Sequence, residues 1–361
     1  MASSIGNLFR LTTFGESHGP AMGGVLDGCP SGLKINFDDV QDFLNKRRPG
    51  FEEIYSERKE PDQVEFLSGI YEGVTLGTPI AFLIRNSNQK SKDYEHLKDV
   101  YRPSHADFTY HKKYGLRDYR GGGRASARDT VSWVVAGAIA SQILELKNIQ
   151  ISSFVSSIGH VFIQEDFCDL DLSLIFNNNV RCPSPSIAKS MEKVIQECKL
   201  SGDTVGGQIF TIIKGVPVGL GEPVFDKIQA GLSKVIMSIN ACKGVSFGSG
   251  FDSSKKKGSN ENDVFVIESG SISTKSNNSG GVQGGITNGQ DIYFSSYFKP
   301  PSSIRQEQKT VNDKLEDVII NVSGRHDPCI VPRAVPIVAS LTAMTILDYY
   351  LLNKTTKLST L

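Results

Sequence analysis

The sequence predicts an α+β fold with antiparallel sheets. Three observations carry this. Short β-rich runs often follow other β-rich runs, as around 206–217 and 263–270, rather than alternating strictly with helices. The amphipathic helices are few, each with its apolar residues on one stripe. The 35 glycines, against an average usage of about 7%, fall in clusters, many of them bounding these runs in a chain of 361 residues.

The elements follow in order. The runs 8–14 and 23–28 read as strands, and a short helix covers 38–46 with Asp38 or Asp39 near its start. Two more strand runs occupy 63–73 and 80–86. The first long helix spans 126–146, with apolar residues at 131, 134, 135, 138, 139, 143 and 146. A second spans 185–200, with Ile187, Met191, Val194, Ile195 and Cys198 on one stripe. After the strand 206–217, a third spans 223–240, striped by Phe225, Ile228, Leu232, Val235, Ile236 and Ile239. The polar runs 176–185 and 252–263 read as loops. Strands 263–270, 291–298 and 317–324 precede a last helix at 334–352. That helix is the longest apolar stretch, but Pro336 and Asp348 interrupt it, which suits a buried helix better than a membrane span.

Composition narrows the function. The chain carries 39 Lys and Arg against 39 Asp and Glu, a net charge of zero. That argues against general binders of nucleic acid or membrane surfaces, which need excess cations. Length alone gives a prior of about two domains. The six cysteines, at 29, 168, 182, 198, 242 and 329, form no C-x-x-C pair. Structural zinc and thioredoxin-type chemistry are therefore not expected, and a reducing, cytoplasmic setting is. The N-terminus shows no basic segment leading into an apolar one, so no secretory signal is expected.

The chemistry concentrates in 101–130. Five of the 14 arginines fall there, Arg102, Arg117, Arg120, Arg124 and Arg128. With Lys112 and Lys113 against Asp107, Asp118 and Asp129, the window is +4 in a neutral chain. Gly121, Gly122 and Gly123 precede the first long helix, and a glycine turn at a helix start offers free N–H groups to an anion. Arginine adds planar paired donors. The window reads as a site for a small polyanion. It lacks the spacing of a dinucleotide fingerprint or a P-loop.

GESHG at 15–19 matches the nucleophile elbow of hydrolases. Yet Pro20, Gly23 and Gly24 lead into a strand rather than a helix, and His326 is the only late histidine. Ser17 and His18 instead suit a proton donor on a glycine-flanked turn. Arg325, His326, Asp327 and Arg333 crowd together before the last helix. Further glycine-rich or polar turns at 238–244, 279–286 and 299–303 could bring N–H or hydroxyl groups to a phosphate or a flavin, or could simply be tight turns. The six histidines show no zinc-binding spacing.

Taken in order, these segments resemble the chorismate synthase family. The blocks are GESHG (15–19), RRPG (47–50), EPDQVEFLSGIYEGVTLGTPI (60–80), the whole of 101–130, GLGEPVFD (219–226), SINACKGVSFG (238–248), SGGVQGGI (279–286), KPPSSI (299–304) and GRHDPCIVPRAVPI (324–337). They cover nearly the whole chain. The resemblance implies a 1,4-anti elimination of phosphate from 5-enolpyruvylshikimate 3-phosphate, giving chorismate, with reduced FMN required but no net redox change. It also implies a single domain over 1–361, a β-α-β sandwich with two antiparallel sheets enclosing helices, assembled as a homotetramer. The alternatives from other classes are another flavin-dependent phosphate lyase and a flavin- or polyanion-binding protein.

Roles carry over by motif. The resemblance implies that His105 protonates the departing phosphate. It gives His18, with Ser17, the proton on the reduced flavin, and it has Asp327 help to take a proton there. Arg124, Ala125, Ser126, Asn240, Ala241, Gly284, Lys299, Pro300, Pro301, Ser302, Ser303 and Arg325 would contact FMN, Ser126 also being counted with the catalytic residues. Arg47, Arg48, Arg128 and Arg325 would hold substrate anions. Ala125, Glu53, Asn278 and Pro301 depart from the family pattern, where Ser, Arg, His and Thr are common. Glu53 argues against direct use of NADPH. With no sizeable insertion between blocks, the chain is expected to take reduced flavin from an external flavin reductase.

Overall fold

The computed structural model describes residues 3–48, 61–87, 97–321 and 327–358. They form an α+β arrangement with two five-stranded antiparallel sheets. The first sheet runs Ser4–Ile5, Arg10–Gly15, Ala21–Asp27, Ile80–Arg85, Val64–Phe66 across its width. Its period of two buries Leu11, Met22, Leu26, Ile80, Phe82 and Ile84 on one face. Gly24 belongs to that face because a Cβ there would lie 2.8 Å from both Leu11 and Phe82.

The second sheet runs Cys242–Phe247, Ile292–Phe298, Gly207–Lys214, Gln150–Ile158, Val161–Phe162. Val155, Ile209, Ile213, Ile292 and Phe294 join the main core. Phe154, Phe210 and Tyr293 alternate with them and form an aromatic cluster with Phe167 on the opposite face, neighbouring ring centroids 5.0–5.8 Å apart.

Seven helices are described: α1 (Phe37–Arg47), α2 (Asp107–Tyr114), α3 (Thr130–Glu145), α4 (Pro185–Ser201), α5 (Ile228–Ile236), α6 (Gly258–Glu261) and α7 (Val331–Asn353). Helix α3 contacts three strands of the first sheet, α7 contacts two of the second, and α3 and α7 pack on each other. Their close approach needs Gly137, whose Cβ would stand 2.2 Å from Ser340 Cβ. Asn36 caps α1 by accepting from the N–H groups of Asp38 and Asp39.

Several boundaries differ from the sequence reading. Helix α3 starts at Thr130, because 123–125 and 127–129 form separate 3-10 turns. Gly121–Gly123 therefore do not open the helix. Helix α5 begins at Ile228 rather than 223; Phe225 takes a left-handed backbone and points into solvent. The polar run 252–263 is not simply a loop. It includes most of a 3-10 turn at Gly250–Lys255, then α6, whose Glu261 bonds Lys256 at 2.7 Å. The strand Gln150–Ile158 and helix α2 had no counterpart in the sequence reading.

Helix α7 runs through Pro336 without ending, and most of its side chains are buried. Its second interruption, Asp348, has a purpose. The buried carboxylate accepts from the backbone N–H of Asn7 at 2.9 Å, Leu8 at 2.7 Å and Phe9 at 3.0 Å, and from Asn7 Nδ2 at 3.1 Å. It ties the chain entering the first sheet to the helix that covers the second. Replacement by alanine leaves three N–H groups without this acceptor. Asp348→Ala is expected to cost about 3 kcal/mol of stability, read as a lower midpoint in urea unfolding. An unchanged midpoint would show that water satisfies those groups.

Candidate active site

The +4 window is not a free basic surface. Each of its five arginines has an acidic partner. Arg102 forms a two-pronged pair with buried Asp107, at 2.7 and 2.8 Å, and Arg117 reaches the same carboxylate at 3.2 Å. Burial works to raise the Asp107 pKa, but hydrogen bonds and charge from Arg102 hold it below its usual range. Arg117 also donates to the carbonyls of Leu97 and Lys98, so these two arginines build the loop around α2. Arg120 pairs with Asp118 at 2.8 Å. Arg124 joins Asp129 at 2.8 Å and Thr13 Oγ1 at 2.5 Å. Burial raises the Asp129 and Glu16 carboxyls above their usual range, against the pull of the Arg124 charge.

Arg128 reaches furthest. It is buried, and its Nη1 donates to Asp62 Oδ1. Arg47, at the end of α1, donates to the other oxygen of Asp62 at 2.6 Å. One buried carboxylate thus holds two buried guanidiniums. Burial alone would raise the Asp62 pKa; the charges of Arg47 and Arg128 and their hydrogen bonds carry it below its usual range. Burial pushes Arg47 down to about 10, with Arg333 and Arg128 adding repulsion and Asp62 opposing it. Arg47 stays charged at neutral pH, and its buried Nε has no partner among the described residues. An orphaned buried donor calls for an acceptor.

Two extensions leave this cluster. Arg333 donates through Nε to the Arg47 carbonyl at 3.3 Å and through Nη1 to Asp327. Arg128 Nε donates to Asn86 Oδ1 at 2.9 Å. Asn86 Nδ2 in turn donates to the carbonyls of Glu16 at 3.0 Å and Gly19 at 2.8 Å. That turn carries buried Ser17, whose Oγ lies 3.1 Å from His18 Nδ1. Gly121 lies against the His18 ring so closely that a Cβ would come within 2.2 Å of Nδ1. This contact, rather than a helix start, explains a glycine there.

A second group assembles around 299–303. His105 Nε2 is 2.8 Å from Ser303 Oγ. Ser302 Oγ donates to the Ser104 carbonyl at 3.3 Å, and Lys299 Nζ donates to Ser302 Oγ at 2.5 Å and to the Pro300 carbonyl at 3.2 Å. Pro301 O accepts from Thr204. The Lys299 N–H bonds the Ala241 carbonyl at 3.0 Å, and Asn240 Nδ2 bonds the Ala125 carbonyl at 2.6 Å. Ser126 Oγ accepts from the Arg128 N–H at 3.2 Å. The turn at 299–303, the 240–241 turn and the 3-10 turns before α3 therefore meet, although their sequences lie far apart.

Comparison with family models places the chain. The description "Chorismate synthase" matches residues 9–351. The chain belongs to the chorismate synthase family. Its activity is that family's lyase reaction, the formation of chorismate in aromatic biosynthesis. A chorismate synthase of Christiangramia forsetii is 57% identical over 99% of both chains. One of Phocaeicola vulgatus is 56% identical over 99% of this chain and 100% of its own. A solved structure, "Crystal Structure of Chorismate Synthase", shares 28% identity at a TM-score of 0.78, covering 97% of this chain and 93% of its own.

Of the residues expected from the chorismate synthase resemblance, the structure brings Ser17, His18, Arg47, Arg128 and Asp327 into one network. It brings His105, Ala125, Asn240, Ala241, Lys299, Pro300, Ser302 and Ser303 into the adjoining turns. Arg48 turns back on α1, bonding Asn45 at 3.2 Å. Gly284 sits in a tight turn between Val282–Gln283 and Ile286–Thr287, beside Gly285, whose Cβ would meet Glu222 and Lys227. Among the described residues, none lies within 4 Å of where a Gly284 Cβ would stand. Arg325, Glu53 and His326 lie outside the described residues. Asp62 and Asn86 were missed. Each lies within or beside a block whose sequence signal was that of a strand, and nothing local advertises a partner more than 40 residues away.

Asp62→Asn keeps the shape but leaves two buried guanidiniums without their anion. It is expected to cost about 3–5 kcal/mol. Because the Asp62 pKa is depressed by folding, its contribution is present above about pH 4 and fades as pH falls through the folded value. Unfolding curves of wild type and Asp62→Asn should therefore converge at acid pH. Parallel curves down to pH 2 would contradict the ion-pair account.

Proposed function

We propose that the site acts on 5-enolpyruvylshikimate 3-phosphate with the residues placed above. The observation that carries this is the buried Arg47–Asp62–Arg128 cluster with its orphaned Nε. Two guanidiniums on one carboxylate leave a net positive charge, in a medium where charge is poorly screened. That environment suits a substrate bearing a phosphate and carboxylates. Arg47 and Arg128 hold the anion, with Arg48 and Arg325 at the margin.

His105 donates a proton to the departing phosphate, and Ser303 fixes which ring nitrogen faces away from the turn. His18 holds a second proton, steadied by Ser17. Asp327, paired with Arg333, is a carboxylate able to receive one.

The turns around 299–303 fit reduced FMN by their donor set. Burial pushes the Lys299 ammonium below its usual range, and nearby Lys243 adds to the shift. Two cations side by side, next to the hydroxyls of Ser302 and Ser303, suit a phosphate. Arg124, Ala125, Ser126, Asn240, Ala241, Lys299, Pro300, Pro301, Ser302 and Ser303 would hold the cofactor, with Gly284 and Arg325 completing the set. Reduced FMN held by these residues would supply electron density to the substrate as phosphate leaves, with no net redox change.

The same reading gives one domain, with the two sheets enclosing α3 and α7. A single buried cluster that runs through both sheets and the helices between them supports this. A homotetramer would cover Phe265, Ile267 and Ile272, which stand exposed on a two-stranded hairpin. A cytoplasmic location agrees with six unpaired thiols.

Anaerobic mixing of the protein, reduced FMN and the phosphate substrate is expected to produce chorismate, followed by its ultraviolet absorbance. No product at saturating reduced flavin would reject the reading. His105→Ala is expected to lose about 10²-fold or more in kcat while FMN still binds; equal loss of FMN binding would assign His105 a structural role. With oxidised FMN and NADPH alone, the flavin should stay yellow. Bleaching without added reductase would show that the protein reduces its own flavin.

A further inference from the structure

Asn86 has no role in the reaction as described so far, yet it is where two parts of the site meet. It follows the strand Ile80–Arg85, and its backbone N–H bonds the Pro20 carbonyl at 3.1 Å. Its side chain makes three hydrogen bonds. Two are donated to the Glu16 and Gly19 carbonyls, and one is accepted from Arg128 Nε. The same turn is closed by Gly19 N–H to Glu16 O at 2.9 Å.

The chemistry of the neighbours fixes the amide's orientation. Two carbonyl oxygens need donors, and a guanidinium needs an acceptor. A carboxamide supplies both from one planar group. A carboxylate supplies only acceptors, and a hydroxyl supplies one donor.

We propose that Asn86 is a positioning residue that locks the Ser17–His18 turn to Arg128. It thereby sets the distance between the group that handles a proton and the arginines that hold the anion. Arg128 is itself fixed by Asp62, so the lock transmits the placement of the arginine pair to the histidine turn. A displacement of about 1 Å at such a turn can cost on the order of 100-fold in rate. The inference rests on the reading that these arginines hold the substrate.

Two substitutions separate the two halves of the lock. Asn86→Asp keeps an oxygen for Arg128 but loses both donors and sets a carboxylate against two carbonyls. Its kcat is expected to fall about tenfold or more, with KM for the phosphate substrate within about threefold and the pH profile of kcat displaced. Asn86→Ala loses both halves, so kcat falls and KM rises. Because turnover could fail for other reasons, the His18 imidazole resonances are followed by NMR in the free Asn86→Ala protein, where they are expected to shift. Wild-type kcat and pH profile in Asn86→Asp, or unmoved His18 resonances in Asn86→Ala, would overturn the proposal. Absence of chorismate from the wild-type protein would instead reject the functional reading, and the NMR comparison would still decide the role of Asn86.

Discussion

The site depends on one carboxylate shared by two arginines. Asp62 is almost wholly buried and takes Arg47 on one oxygen and Arg128 on the other. Arg47 ends α1, Arg128 lies in the last 3-10 turn before α3, and Asp62 stands just before the strand Val64–Phe66 at the edge of the first sheet. The carboxylate therefore gathers a helix end, a helix start and a sheet edge. A buried pair of this kind adds little net stability over an apolar replacement, but removing one partner is expensive. Its value here is placement: two guanidiniums are held ready in a poorly hydrated setting.

From that point the network spreads in two directions without a gap. Arg333 and Asp327 extend it towards the start of α7, and Asn86 extends it towards the turn of Ser17 and His18. Fixed charges and dipoles arranged before substrate arrives cost no reorganisation during the reaction. The neighbouring turns contribute hydroxyls and ammonium groups rather than further buried ion pairs, the donor set on which the proposed cofactor placement rests. The fold serves this by laying α3 against one sheet and α7 against the other, joined through the close crossing at Gly137.

Much of this was legible in the sequence, for identifiable reasons. Helices α1, α4 and α7 follow apolar periodicity or a capping residue, and their limits lie within about three residues of those read from the pattern. Helix α5 was overextended because Phe225 completes an apolar stripe, yet its backbone is left-handed and its ring exposed. The strand Gln150–Ile158 was missed because five of its nine residues are serine or glutamine, which blurs the alternation. The glycines at 121–123 were read as opening a helix, whereas Gly121 is constrained by the His18 ring and Gly122 by Ser126. Local charge told only part: the +4 window was read as a site for a small polyanion, and within it Arg102 and Arg117 are paired with Asp107 and build a loop. The residues that motif reading could not find, Asp62 and Asn86, owe their importance to partners distant in sequence.

The central proposal is that this charged network expels phosphate catalytically and that a flavin held beside it would end as it began. The most direct measurement mixes protein, substrate and a limiting amount of reduced FMN without oxygen, and follows phosphate release and flavin absorbance together. The account predicts many phosphates released per flavin, with the flavin still reduced at the end. One phosphate released for each flavin oxidised would contradict it.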